Sequence, residues 1–101
     1  MIKRIVKLHI RLEEQETFKV FFLQSRSTIL SFDCHHVECL QAMDDPNTFF
    51  TYSQWASVEA LNEYRNSDEF ATIWKKTKAL FGDRAEAWST EEVISVDNKE
   101  N

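Results

Sequence analysis

The sequence predicts a small α+β domain of ferredoxin-like arrangement, β-α-β-β-α-β, in which helices cover one face of an antiparallel sheet. Three observations carry this reading. Apolar residues switch in that order between a period of two and a period near 3.6. The 101 residues contain only one Gly and one Pro, which favours long regular elements over turn-rich β-sandwiches. A 43% hydrophobic and 13% aromatic composition supplies one core and leaves no room for a second.

Residues 2–12 read as a strand, with Val6, Leu8, Ile10 and Leu12 on one parity and Lys7, His9 and Arg11 on the other. The acidic run Glu13-Glu14-Gln15-Glu16 suits a positive helix start. Behind it, Phe18, Phe21, Phe22, Ile29 and Phe32 recur at helical spacing, over about four turns. Residues 34–43 and 48–55 form a hairpin across the turn formers Asp44-Asp45-Pro46-Asn47. Ser57 caps a short helix carrying Ala60, Leu61 and Tyr64. Ser67, before Asp68-Glu69, caps another that carries Phe70, Ile73, Trp74, Thr77 and Phe81, with Gly82 at its expected stop. Residues 84–96 read as a last strand. One domain is expected over residues 1–96, with a polar tail at 97–101.

In Phe49-Phe50-Thr51-Tyr52-Ser53-Gln54-Trp55 both parities carry aromatics. A strand that is apolar on both sides is covered on both sides, which predicts a homodimer with two sheets face to face, joined through the face away from the helices. Seventeen acidic against twelve basic residues leave a charge of −5, which repels a phosphate backbone and argues against nucleic acid as a partner. No segment approaches the length of a membrane span. With no signal-like amino terminus and two cysteines that strand spacing sets roughly 16 Å apart on opposite faces, free thiols and a cytoplasmic location are expected.

The run Asp44-Asp45-Pro46-Asn47-Thr48-Phe49, followed by Trp55, Glu59-Ala60-Leu61, Ser67 and Phe70, resembles the antibiotic biosynthesis monooxygenases, a family of dimeric α+β barrels. The resemblance extends from the first strand through Phe81. It implies a cofactor-independent oxygenase acting on a quinol-like or small aromatic compound, by deprotonating an electron-rich phenol or quinol and passing electrons directly to O₂. This chain departs from the family's pattern at several polar positions. Tyr64 and Glu69 stand about where many members carry histidine, and Trp74 stands where the haem-degrading branch places its axial ligand. Leu8 or His9 stands where that branch uses Asn. A Trp cannot ligate iron, so no haem is expected, nor any other cofactor.

His35, on the parity of Val37, and Tyr64 are the candidate catalytic residues. His35 would act as base in a helix-side pocket, and Tyr64 would donate a hydrogen bond to the developing enolate. Phe22, Val37, Phe70 and Trp74 are the candidate walls of a pocket for a small apolar or aromatic molecule. The other reading of the aromatic stripe is plain core packing, in a non-catalytic dimeric barrel that binds a small apolar ligand or serves as an assembly module. Cys34-His35-His36-Val37-Glu38-Cys39 is dense in ligand types but lacks a zinc spacing, and no metal is expected. One glycine allows no phosphate loop, and neither a hydrolase elbow nor His-Glu-x-x-His occurs.

Overall fold

A computed structural model describes residues 1–98 and orders them as β1 (Ile2–His9), a 3-10 turn (Leu12–Glu14), α1 (Gln15–Leu30), β2 (Cys34–Gln41), β3 (Thr48–Trp55), α2 (Val58–Arg65), α3 (Asp68–Lys78) and β4 (Glu86–Glu91). The sheet order is β2-β3-β1-β4 with every neighbouring pair antiparallel. This is the α+β ferredoxin-like fold, and its first and third strands are central. Residues 99–101 of the predicted tail lie outside the described residues.

Cross-strand partners share a face, so the register assigns each side chain to a side. On the helix side Arg4, Val6 and Leu8 of β1 oppose Ser53, Thr51 and Phe49 of β3, and Ser89 and Ala87 of β4 flank Arg4 and Val6. Helix residues close over this face in two clusters. Ile29, Leu61 and Tyr64 pack with Cys34 and Trp55, while Phe18 packs with Leu8, Ile10 and Phe49. The opposite face carries Ile5, Tyr52 and Trp88 in one row.

Local chemistry sets the joints. Ser57 Oγ accepts the Ala60 N–H at 3.1 Å and Ser67 Oγ accepts the Phe70 N–H at 3.0 Å, each satisfying a donor that a helix start would leave unpaired. The Ser67 hydroxyl also donates to the Tyr64 carbonyl, which fixes the break between α2 and α3. In the β2–β3 loop the Asp45 carboxylate accepts the Thr48 hydroxyl at 2.6 Å and the Asn47 N–H at 3.1 Å. Those two bonds hold its pKa below the ordinary carboxylate range. Asn47 Nδ2 then donates to the Ile10 carbonyl at 3.0 Å, tying the loop to the end of β1.

Several sequence expectations are corrected. The first strand stops at His9 and not Leu12, because the Ile10 N–H turns to the Asn47 carbonyl and Ile10 bridges only Phe81. Phe81 lies beyond the last helix, whose final residue is Lys78. Gly82 does not adopt a left-handed cap conformation; a Cβ there would meet His9 Nδ1 at 2.6 Å, so close approach requires the glycine. The last strand ends at Glu91, the partner of Ile2 where β1 begins, and Val93, Ile94 and Val96 beyond it pair with no strand among the described residues and stand exposed.

A β-bulge between Cys34 and His36 leaves His35 outside the ladder, after Asp33 has taken a left-handed φ of 62°. The bulge puts Cys34, Val37 and Cys39 together on the helix side and sends His36 and Glu38 to the other. The two cysteines therefore share a face, and remain free thiols.

Candidate functional site

Between the helices and the sheet lies a cavity of about 340 Å³. Its walls come from three layers. Strands supply Val6, Leu8, Val37, Thr51, Ser53 and Trp55, α1 supplies Phe18, Phe22 and Ile29, and the last two helices supply Tyr64, Phe70, Ile73 and Trp74. Ala85 and Ala87, with Glu86 between them, close the β4 side. Small residues there keep the space from being filled.

The aromatic wall is a continuous relay of ring contacts. Tyr64 stacks on Trp55 at 5.1 Å and meets Phe70 edge-on at 5.1 Å. Phe70 lies parallel to Trp74, 9° between planes, and Trp74 meets Phe81 edge-on at 5.6 Å. Such pairs hold ring planes in defined orientations, so the wall is preorganised to receive a flat apolar body. Trp55 Nε1 donates to Ser53 Oγ at 2.9 Å, which satisfies the buried indole N–H without using the cavity.

Three polar lining residues, Tyr64, Arg4 and Arg65, lie near one another. Tyr64 is 7% exposed, and burial foremost, with the nearby Cys34 thiol, pushes its hydroxyl up to about 12. The hydroxyl stays protonated at neutral pH and is a donor, not a base. Arg4 and Arg65 line the same cavity, and the Arg4 guanidinium bonds Ser89 Oγ at 2.9 Å.

Five of the six sequence-predicted site residues meet here: Phe22, Val37, Tyr64, Phe70 and Trp74 all line the cavity. His35 does not. The bulge leaves its ring exposed, 3.5 Å from the Asp33 carboxylate, so it cannot serve a pocket from which the backbone has turned it away. His9 is tucked against Gly82, and His36 pairs with Glu38 at 2.7 Å on the other sheet face. Among the described residues no group of three or more His, Cys, Asp or Glu is placed to hold a metal ion.

The family model of the antibiotic biosynthesis monooxygenases matches residues 1–76, three of the four strands and most of the cavity wall. The chain belongs to the antibiotic biosynthesis monooxygenase family. Solved structures agree on the fold. Candidate antibiotic biosynthesis monooxygenases of Deinococcus radiodurans and Bordetella bronchiseptica superpose with TM-scores of 0.85 and 0.83 at 12% and 18% identity. The first alignment covers 99% of this chain and 100% of that one, the second 92% and 97%. A conserved protein of Methanosarcina mazei Go1 follows at 0.84 and 16% identity, covering 91% of this chain and 92% of its own. No curated protein sequence matches the chain.

The motifs that carry the family resemblance have structural work here. The Asp44-Asp45-Pro46-Asn47 loop ties two strands together, Ala60 and Leu61 are core, and Ser67 caps α3. Within this family fold, sequence reading missed Arg4 and Arg65. Arg4 had a signal: it is the one charged residue on the parity of Val6 and Leu8.

Proposed function

We propose that this family member is a cofactor-independent monooxygenase that oxidises a small phenol or quinol in the cavity, and that it works as a homodimer joined through the sheet face away from the helices. The observation that carries the reading is an aromatic-walled chamber whose lining includes the buried side chain of Tyr64, its hydroxyl protonated and unbonded within the described residues. An electron-rich ring would lie against Trp55, Phe70 and Trp74, and Tyr64 would donate to its oxygen as negative charge develops there. The phenolic proton leaves to water. In a phenol whose para carbon bears hydrogen, that carbon bonds one atom of O₂ after electron transfer, and loss of water from the hydroperoxide breaks the O–O bond. Such a phenol gives up four electrons, and the two oxygen atoms end in a quinone and in water, whereas a quinol gives up two and O₂ leaves as hydrogen peroxide. The two unpaired thiols fit a reducing, cytoplasmic setting.

Oxygen uptake and quinone absorbance, measured with a panel of naphthols and naphthoquinols on metal-stripped protein, test this reading. Turnover that falls in Tyr64→Phe supports it. A second reading, a barrel that binds such compounds without oxidising them, is favoured by the position of His35 outside the cavity. Binding by calorimetry with no oxygen uptake across the panel would select it.

A further inference from the structure

Arg4 and Arg65 both line a chamber walled mainly by apolar and aromatic side chains, and they stand near enough for their charges to interact. Arg4 is half-buried, and it stands on the helix-side row of β1, between Ser53 and Ser89. Buried guanidinium groups are ordinarily paired with a carboxylate. Among the described residues, none lies within ion-pair distance of Arg4 or Arg65. Glu86, the acidic residue on the cavity wall, pairs with neither. A serine hydroxyl takes one of the N–H groups of Arg4, and a guanidinium has five. Partial burial first, and then the charge of Arg65, press the Arg4 guanidinium below its ordinary range. Both causes are relieved by an anion placed between the two side chains. Planar guanidinium forks match a carboxylate with two parallel hydrogen bonds.

We infer that the cavity takes an aromatic carboxylate, its ring among Phe70, Trp74 and Trp55 and its carboxyl group held by Arg4 and Arg65. The inference rests on the reading of the cavity as the substrate site and narrows the substrate to a phenol or quinol that also bears an acid group. Tyr64 is then left free for the phenolic oxygen.

Calorimetric titration with 2-naphthoate and its neutral isostere 2-naphthamide tests it on the full chain. The expected result is naphthoate binding about tenfold or more tighter than the amide, with a preference that weakens as sodium chloride is raised. Arg65→Gln, at an exposed helix end, and Arg4→Gln should each erase most of that preference, weakening naphthoate binding far more than amide binding. Equal affinity for the two compounds, or variants that weaken both alike, would overturn the carboxylate while the cavity reading survives. Binding of neither compound would overturn both. Should Arg4→Gln fail to fold by circular dichroism, Arg65→Gln and the salt series decide the question.

Discussion

The ring of Tyr64 stacks on the indole of Trp55, with centroids 5.1 Å apart and planes 27° from parallel, while its hydroxyl bonds no group among the described residues. Packing and chemistry are thus carried by different parts of one side chain. Tyr64→Phe keeps the ring and should change stability by no more than about 0.5 kcal/mol. Tyr64→Ala removes contacts to Trp55, Phe32 and Phe70 and should cost about 3–5 kcal/mol. If Tyr64 donates to a developing oxyanion, Tyr64→Phe lowers oxygen uptake about tenfold to hundredfold. Thermal denaturation and an oxygen electrode on the same two variants separate the roles.

Alkaline pH should unfold the chain earlier than it would an average domain. Burial raises Tyr64 to about 12 and, against a weaker pull from Lys19, Cys39 to about 11. In the unfolded chain these groups ionise near their ordinary values of 10.0 and 9.0. Below pH 9 both states hold the protons and stability is unaffected. As pH rises from 9 through the folded values, only the unfolded chain gains by releasing them, and stability falls. Urea midpoints measured between pH 7 and pH 11 should be flat to about 9 and then decline. Cys39→Ala should delay the decline, and both thiols should react slowly with maleimide at pH 7 until urea exposes them.

Gly82 donates its N–H to the His9 carbonyl at 2.8 Å, which brings the backbone against the imidazole. An added methyl would sit 2.6 Å from Nδ1 and 2.8 Å from Cε1. Since its backbone is not left-handed, the cost of Gly82→Ala is steric and should be about 1–3 kcal/mol. His9→Ala in the same chain should return most of that loss, because it removes the atoms that clash. A double-mutant cycle by urea denaturation measures the coupling. No coupling would mean that the contact is not why glycine stands there.

The element order and most of the cavity wall could be read from periodicity alone, because Phe22, Phe70 and Trp74 obey the 3.6 period and Phe49 and Trp55 the period of two. What escaped depends on tertiary geometry. Nothing in Cys34-His35-His36 marks a bulge by composition, yet one extra residue there reverses the side on which every earlier strand position points. His35 leaves the pocket by that route, and Cys34 and Cys39 arrive on one face. Arg4 was visible as a charge on an apolar parity. Its place in a cavity depends on Ala87 across the sheet and on Arg65 from the end of α2, a pairing that no local pattern encodes.

The outer sheet face makes the last prediction. Ile5 lies between Tyr52 and Trp88 in register, with Phe50 and Leu40 paired farther along. Leu40 and Trp88 are 49% and 46% exposed, although strands that face water ordinarily present polar residues there. At the margins Lys3 pairs with Glu92 at 2.8 Å and the His36 ring meets the Glu38 carboxylate at 2.7 Å, while Lys7 lies beside Phe50 in the register. An apolar row bordered by polar and charged residues suits a second copy of the same face. Sedimentation at micromolar concentration should show a single species of twice 12.0 kDa. Trp88→Glu combined with Tyr52→Glu places like charges on facing sheets and should shift the mass to the monomer, while Lys3→Gln at the margin leaves it unchanged. A wild-type monomer under these conditions would remove the homodimer from the proposed function, and the cavity, which one chain builds by itself, would stand without it.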